Sequence, residues 1–121
     1  MAKTILCIDD SPTIRLLVRK TLEPLGYTIL EADDGKTGLE AARKSSADFV
    51  LVDVNMPIMN GFDCVKQLKA LPSYASTPMV FLTTESGQEK RTQGRELGVS
   101  GWMVKPFEAD ALVKIVRMLA G

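Results

Sequence analysis

Histidine is absent from all 121 residues. Without it no Ser-His-Asp or Cys-His nucleophile can be assembled, nor a histidine-ligated metal site, nor a phosphohistidine carrier. Cysteine is nearly absent too. Cys7 and Cys64 each lie in an apolar segment and form no CxxC pair, so they read as small core residues of a reduced, cytoplasmic protein. Excess charge is also missing, since Lys plus Arg and Asp plus Glu each number 15. Residues 1–60 carry seven bases against nine acids, and residues 61–121 carry eight against six. So slight a polarity is too small to imply nucleic acid or a membrane surface as the main partner, and neither is expected. The opening MAKTILCIDDS is broken by two acids within its first ten residues, which fits neither a signal peptide nor a membrane span. No internal repeat, low-complexity tract or linker divides the chain, and its length suits one domain.

What is present is a regular alternation of short apolar runs and longer amphipathic ones. The apolar runs are Thr4–Ile8, Tyr27–Leu30, Phe49–Val52, Met79–Leu82 and Trp102–Val104. Most are continuous, as expected of parallel strands buried on both faces. Between them lie helical patterns. Ser11 is a good N-cap and Pro12 suits the first turn; Ile14, Leu17, Val18, Leu22 and Leu25 follow at helical spacing, and Gly26 closes the run. A weaker helix over 34–44 enters through Asp33 or Asp34. Asn60 caps a helix carrying Cys64, Leu68 and Leu71, and the last helix carries Leu112, Ile115, Val116 and Leu119. Residues 86–97, with two glycines and Leu97 as the single large apolar residue, are expected to form a mobile helix because the rhythm of the chain requires a crossover there. Five βα units make an α/β fold with an open parallel sheet, and ligands in such folds bind beyond the carboxyl ends of the strands.

Those ends carry chemistry. Asp9 and Asp10 follow the first run, Asp53 ends the third, Thr83 and Thr84 end the fourth, and Lys105 with Pro106 ends the fifth. Two bare carboxylates ~5 Å apart repel by roughly 3 kcal/mol at an effective dielectric of ~20. Three together need a remedy, and a hard divalent cation such as Mg²⁺ is the simplest, because it prefers oxygen ligands. Lys105 and the Thr83 hydroxyl would offset and orient further negative charge, which favours phosphoryl transfer with a carboxylate as nucleophile.

IDDS at 8–11, DVNMPIMNG at 53–61, FLTT at 81–84 and GWMVKPF at 101–107 resemble the receiver domain of two-component response regulators, most of all the single-domain CheY-like chemotaxis type. The resemblance runs the whole chain. It implies a flavodoxin-like (βα)5 doubly wound sheet of strand order 2-1-3-4-5, over residues 1–121 as a single receiver with no fused output domain. It implies Asp53 as the acceptor of a phosphoryl group from a partner histidine kinase. Asp10 and Asp53 would bind Mg²⁺ directly with the Asn55 carbonyl, and Asp9 through a water. Lys105 would contact the phosphoryl oxygens, with a cis bond to Pro106. Thr83 and Trp102 would form the switch, and Asn55 and Glu85 would set how fast the acyl phosphate decays. The chain would be a switch rather than an enzyme with external turnover. Phosphorylation would change the surface around residues 86–120 to bind a downstream protein, such as a flagellar motor switch or a relay phosphotransferase.

Other readings stand beside this one. Asp9 and Asp10 could simply cap the first helix, and Trp102 could be a plain core aromatic. Lys90, Arg91 and Arg95 could be a solvated face or part of a docking surface. A flavodoxin-type carrier fits poorly, because two carboxylates would repel the phosphate its first loop must cradle. A carboxylate-nucleophile phosphatase would need an acid where Asn55 stands. A phosphorelay intermediate and a phosphate-independent interaction module on the same fold remain open. A monomer is expected, since no long apolar stripe is left once the core is assigned.

Overall fold

The computed structural model describes residues 3–84 and 87–121. Along it run β1 (Thr4–Ile8), α1 (Pro12–Leu22), β2 (Thr28–Ala32), α2 (Gly35–Lys44), β3 (Phe49–Val52), α3 (Gly61–Ala70), β4 (Met79–Thr83), α4 (Gln88–Glu96), β5 (Gly101–Val104) and α5 (Ala109–Ala120). Every strand pair is parallel, and the sheet order is β2-β1-β3-β4-β5. This is the doubly wound order implied by the resemblance. None of the described helices is long and apolar enough to cross a membrane.

The continuity of the apolar runs has a simple cause. Successive strand residues face opposite sides, and here both sides are covered. Leu6, Ile8, Val50, Val52, Met79 and Phe81 enter a core shared with Leu39 of α2 and Cys64, Val65 and Leu68 of α3. Ile5, Cys7, Phe49, Leu51, Val80 and Leu82 enter a second core, shared with Val18 and Leu22 of α1 and Leu112 and Val116 of α5. Both cysteines are buried and unpaired, and burial pushes each thiol up to about 12. They are packing groups and not nucleophiles.

Helix starts follow their side chains. Ser11 accepts the Ile14 N–H, and Asn60 accepts the Asp63 N–H. Of the two aspartates open at α2, it is Asp34 that caps, in a reciprocal box with Thr37. α1 stops earlier than its apolar spacing suggests. Pro24 has no N–H to continue an α-helix, so the chain tightens into a 3₁₀ turn over Glu23–Leu25 before Gly26, at φ 97°, turns it toward β2. Leu25, past the helix end, consequently lies outside the buried face at 43% exposure, and Leu17 within α1 is turned away from the core residues Val18 and Leu22. β2 runs two residues beyond its apolar stretch, because Glu31 and Ala32 pair with Cys7 and Ile8 through the backbone. A helix does form within 86–97, from Gln88 to Glu96, and only Gly94 of it is buried; Ser86 lies outside the described residues.

One glycine ties the fold to the ends of the strands. Gly61, the first residue of α3, donates its N–H to Val54 O at 2.8 Å. A Cβ there would stand 2.2 Å from Asp53 O and 2.8 Å from Val54 Cα. Both are backbone atoms that cannot step aside. At Gly38 the clash would be with the Ile8 Cδ1 tip at 2.5 Å, a side chain that can change rotamer. Gly61→Ala should therefore cost about 3 kcal/mol or more, and Gly38→Ala about half that or less, overpacking costs being usually about 1–3 kcal/mol. Urea midpoints of the two variants check the ranking, and an equal loss in both would refute it.

Candidate functional site: an acidic cleft at the strand ends

The parallel ladders carry three acids to one edge of the sheet. Asp9 continues β1, its N–H held by Ala32 O at 3.0 Å, and Asp53 continues β3, its N–H held by Ile8 O at 2.9 Å. Asp10 follows Asp9 into the turn before α1. Asp9, Asp10 and Asp53 each offer a carboxylate oxygen, and the three oxygens lie within 4.8 Å of one another. Asp9 and Asp53 are buried, and Asp10 is exposed. The helix-cap reading of Asp9 and Asp10 does not describe this arrangement, since Ser11 fills the capping position.

Lys105 enters from the neighbouring side. Its N–H bonds to Thr83 O at 2.8 Å, which extends the β4–β5 ladder by one residue, and its bond to Pro106 is cis. The ammonium stands 2.7 Å from Asp9 Oδ2 and 3.4 Å from Asp53 Oδ2. Asp9 Oδ1 accepts the Ser11 N–H at 2.9 Å, and Asp53 Oδ1 accepts the Asn55 N–H at 3.3 Å. Asp9 Oδ2 is buried and, among the described residues, accepts no aligned hydrogen bond, the Lys105 ammonium being its ionic neighbour. One ammonium offsets only part of the charge of three clustered carboxylates, and a cation would offset more. Three oxygens of hard character suit a hard cation. The cluster can hold a metal.

Burial and the Asp9 charge raise the Asp53 carboxyl from its ordinary 3.8 to about 6, against the opposing pull of Lys105 and the Asn55 N–H. Thr83 is fully buried at the end of β4. Asn55 is exposed beside the cleft. Glu85, the other residue that the resemblance links to acyl-phosphate decay, lies outside the described residues. Trp102 is half-buried on β5, paired in register with Phe81. Its ring packs edge-on against Phe81 at 5.4 Å and tilted against Phe62 at 6.3 Å, and Phe62 meets Phe81 edge-on at 5.2 Å. Lys90 of α4 stands 5.6 Å above the Phe62 ring. Trp102 also lines a hollow of about 200 Å³ with Arg91, Arg95, Val99, Ser100 and Gly101.

Sequence reading missed the ring cluster. The pairing of β4 with β5 sets Phe81 beside Trp102, and α3 packs Phe62 against both rings. It also missed Arg15 and Glu31, which meet across 16 residues at 3.1 Å. Arg15 donates from Nη1 to the Asp9 carbonyl at 2.6 Å. No local spacing rule joins a helix arginine to an acid on the next strand.

Asp53 keeps its proton to about pH 6 in the folded chain and loses it near 3.8 when unfolded. Its ionisation therefore removes stability as pH rises from about 4 to about 6, and the deficit persists above that. At ~1.4 kcal/mol per pH unit, the gap from 3.8 to about 6 amounts to about 3 kcal/mol. Metal-free Asp53→Asn should thus be more stable than the parent at pH 7, by up to that amount, and should match it near pH 4. Urea unfolding at the two pH values checks this. A variant less stable than the parent at pH 7 would overturn the account.

The response regulator receiver domain profile matches residues 5–117. Chemotaxis protein CheY-3 of Vibrio cholerae is 39% identical over 109 residues, which is 89% of this chain and 84% of that protein. Protein PilH of Pseudomonas aeruginosa is 33% identical over 118 residues, 97% of this chain and 98% of that protein. Among solved structures, chemotaxis protein CheY4 of Vibrio cholerae superposes with a TM-score of 0.95 at 39% identity, covering 98% of this chain and 99% of that one. With the parallel order, the acid cluster and the lysine all in place, the chain belongs to the response regulator receiver domain family, the phosphorylation-dependent signalling switches of two-component systems.

Proposed function

We propose that Asp53 is the phosphoacceptor of this receiver and that a histidine kinase supplies the phosphoryl group. The observation that carries this reading is the pairing of Asp53 with Lys105 at 3.4 Å inside an acid cluster that a cation would complete. An Asp53 carboxylate oxygen attacks the phosphorus of a phosphohistidine and the imidazole leaves. Near neutral pH the Asp53 carboxyl, held near 6, is mostly ionised and ready to attack. The Lys105 ammonium, already between Asp9 and Asp53, balances the negative charge of the incoming phosphoryl oxygens. Asp10, Asp53 and the Asn55 carbonyl would hold Mg²⁺, with Asp9 acting through a water. Bound there, Mg²⁺ supplies neutralisation of charge on the transferring group.

Output is binding. The phosphorylated state alters the surface around residues 86–120 through Thr83 and Trp102, and a target protein binds the altered surface. Chemotaxis is the context we favour, on the relatives named chemotaxis proteins, with a flagellar motor switch or a relay phosphotransferase as target. Asn55 and Glu85 set the lifetime of the acyl phosphate. The receiver acts in the cytoplasm as a monomer and turns over no external substrate.

Intact mass after incubation with Mg²⁺ and acetyl phosphate tests the site directly. One added phosphoryl group is expected, absent in Asp53→Asn and absent when the metal is chelated. Emission of Trp102 should change in the same sample and stay constant in the mutant. A parent chain that gains no mass under any phosphodonor would leave a receiver-shaped interaction module instead.

A further inference from the structure

Arg15 is tied to the acidic cleft by the backbone rather than by a carboxylate. From the second turn of α1 its guanidinium reaches back over the helix start, and Nη1 donates to the Asp9 carbonyl at 2.6 Å. Nε is held by Glu31 of β2 at 3.1 Å. The same Glu31 carboxylate receives Arg19 Nε at 2.8 Å, and Arg19 also binds Ile29 O and Glu23. Glu31 is therefore fixed before it orients Arg15. The Asp9 carbonyl belongs to the peptide that joins Asp9 to Asp10, so its direction sets the course of the chain into Asp10. Repulsion among the three acids favours rotating that peptide and swinging Asp10 away, Asp10 being the exposed member of the cluster. Among the described residues, the other holds around this peptide fall on its neighbours: the Asp9 N–H on Ala32 O, Asp9 Oδ1 on the Ser11 N–H, Asp9 Oδ2 beside Lys105, and Ser11 Oγ on the Ile14 N–H.

We infer that Arg15, oriented by Glu31, is a positioning residue of the cation site, and that it holds the Asp9–Asp10 peptide so that both acids face Asp53. This rests on the reading of the cluster as a divalent-cation site. The contrary account is purely electrostatic. In that account Arg15 is a positive charge beside a cation site, and removing it should tighten cation binding. The two accounts predict opposite signs.

The experiment is calorimetric titration of Mg²⁺ alone into the parent, Arg15→Met, Arg15→Lys, Glu31→Gln and Arg19→Met, with a urea midpoint for each. Residues that orient metal ligands from behind commonly contribute about 10- to 100-fold in affinity. Arg15→Met should weaken Mg²⁺ binding by about tenfold or more. Arg15→Lys keeps the charge but loses the planar fork, and should weaken it nearly as much. Glu31→Gln should weaken it less, and the Arg15→Met/Glu31→Gln double variant no more than Arg15→Met alone. Arg19→Met removes an equal charge and one hold on Glu31 without touching Asp9, and should weaken binding no more than Glu31→Gln does.

Acetyl phosphate labelling of Arg15→Met should slow at low Mg²⁺ and recover at saturating Mg²⁺, a pattern that general loss of fold does not give. Unchanged or tighter Mg²⁺ binding in folded Arg15→Met would overturn the inference. Should Arg15→Met not fold, parent-like affinity in Arg15→Lys would overturn it equally. A folded parent chain that takes up no Mg²⁺ would refute the cation reading itself, an outcome distinct from either.

Discussion

Three carboxylates brought within 4.8 Å of one another are the constraint on which the rest of the molecule depends. Left to themselves Asp9, Asp10 and Asp53 would separate, and the fold has to prevent it. The parallel ladders do most of this, because Asp9 and Asp53 are held as extensions of β1 and β3 by bonds to Ala32 and Ile8. Lys105 offsets part of the charge, yet the Asp53 carboxyl still rises to about 6. The cleft is thus built against its own electrostatics, and what it sacrifices in stability it holds available for a cation and a phosphoryl group.

Such a site needs a rigid frame. Both faces of the sheet are filled by apolar residues, so a strand that slipped by one residue would exchange side chains between two filled cores, and the mismatch in their sizes opposes it. Gly61 lets α3 begin against the Asp53 carbonyl. Tyr74, buried between α2 and β3, accepts the Ala47 N–H at 3.1 Å and has the Ala42 and Ser45 carbonyls each at 2.9 Å of its hydroxyl. The one lightly anchored crossover is α4, which buries only Gly94. At that glycine an added Cβ would come within 3.2 Å of both Phe81 and Trp102. The least committed helix therefore rests on the aromatic cluster through its smallest residue, which lets helix and indole lie close.

Much of this was legible beforehand. Continuous apolar runs meant strands covered on both sides, and the residues that end those runs had to meet at one edge of a parallel sheet. Ser11, Asn60 and Gly26 marked their turns because capping and left-handed geometry are local properties of a residue. Boundaries were less legible where the backbone, not hydrophobicity, decides them. β2 extends through Glu31 because its ladder partner continues, and α1 ends at Leu22 because Pro24 cannot donate.

By itself the amino-acid order determined the fold class, the strand-end placement of Asp9, Asp10, Asp53, Thr83 and Lys105, and the absence of any histidine chemistry. These follow from periodicity and composition, which act along the chain. Tertiary structure alone decided which partners those residues meet. Lys105 lies closer to Asp9 than to Asp53, Arg15 grips a backbone carbonyl with Glu31 behind it, and Phe62 joins Phe81 and Trp102. Each of these contacts joins segments that the sheet order and helix packing bring side by side. Their geometry depends on packing distances that no local pattern of residues encodes.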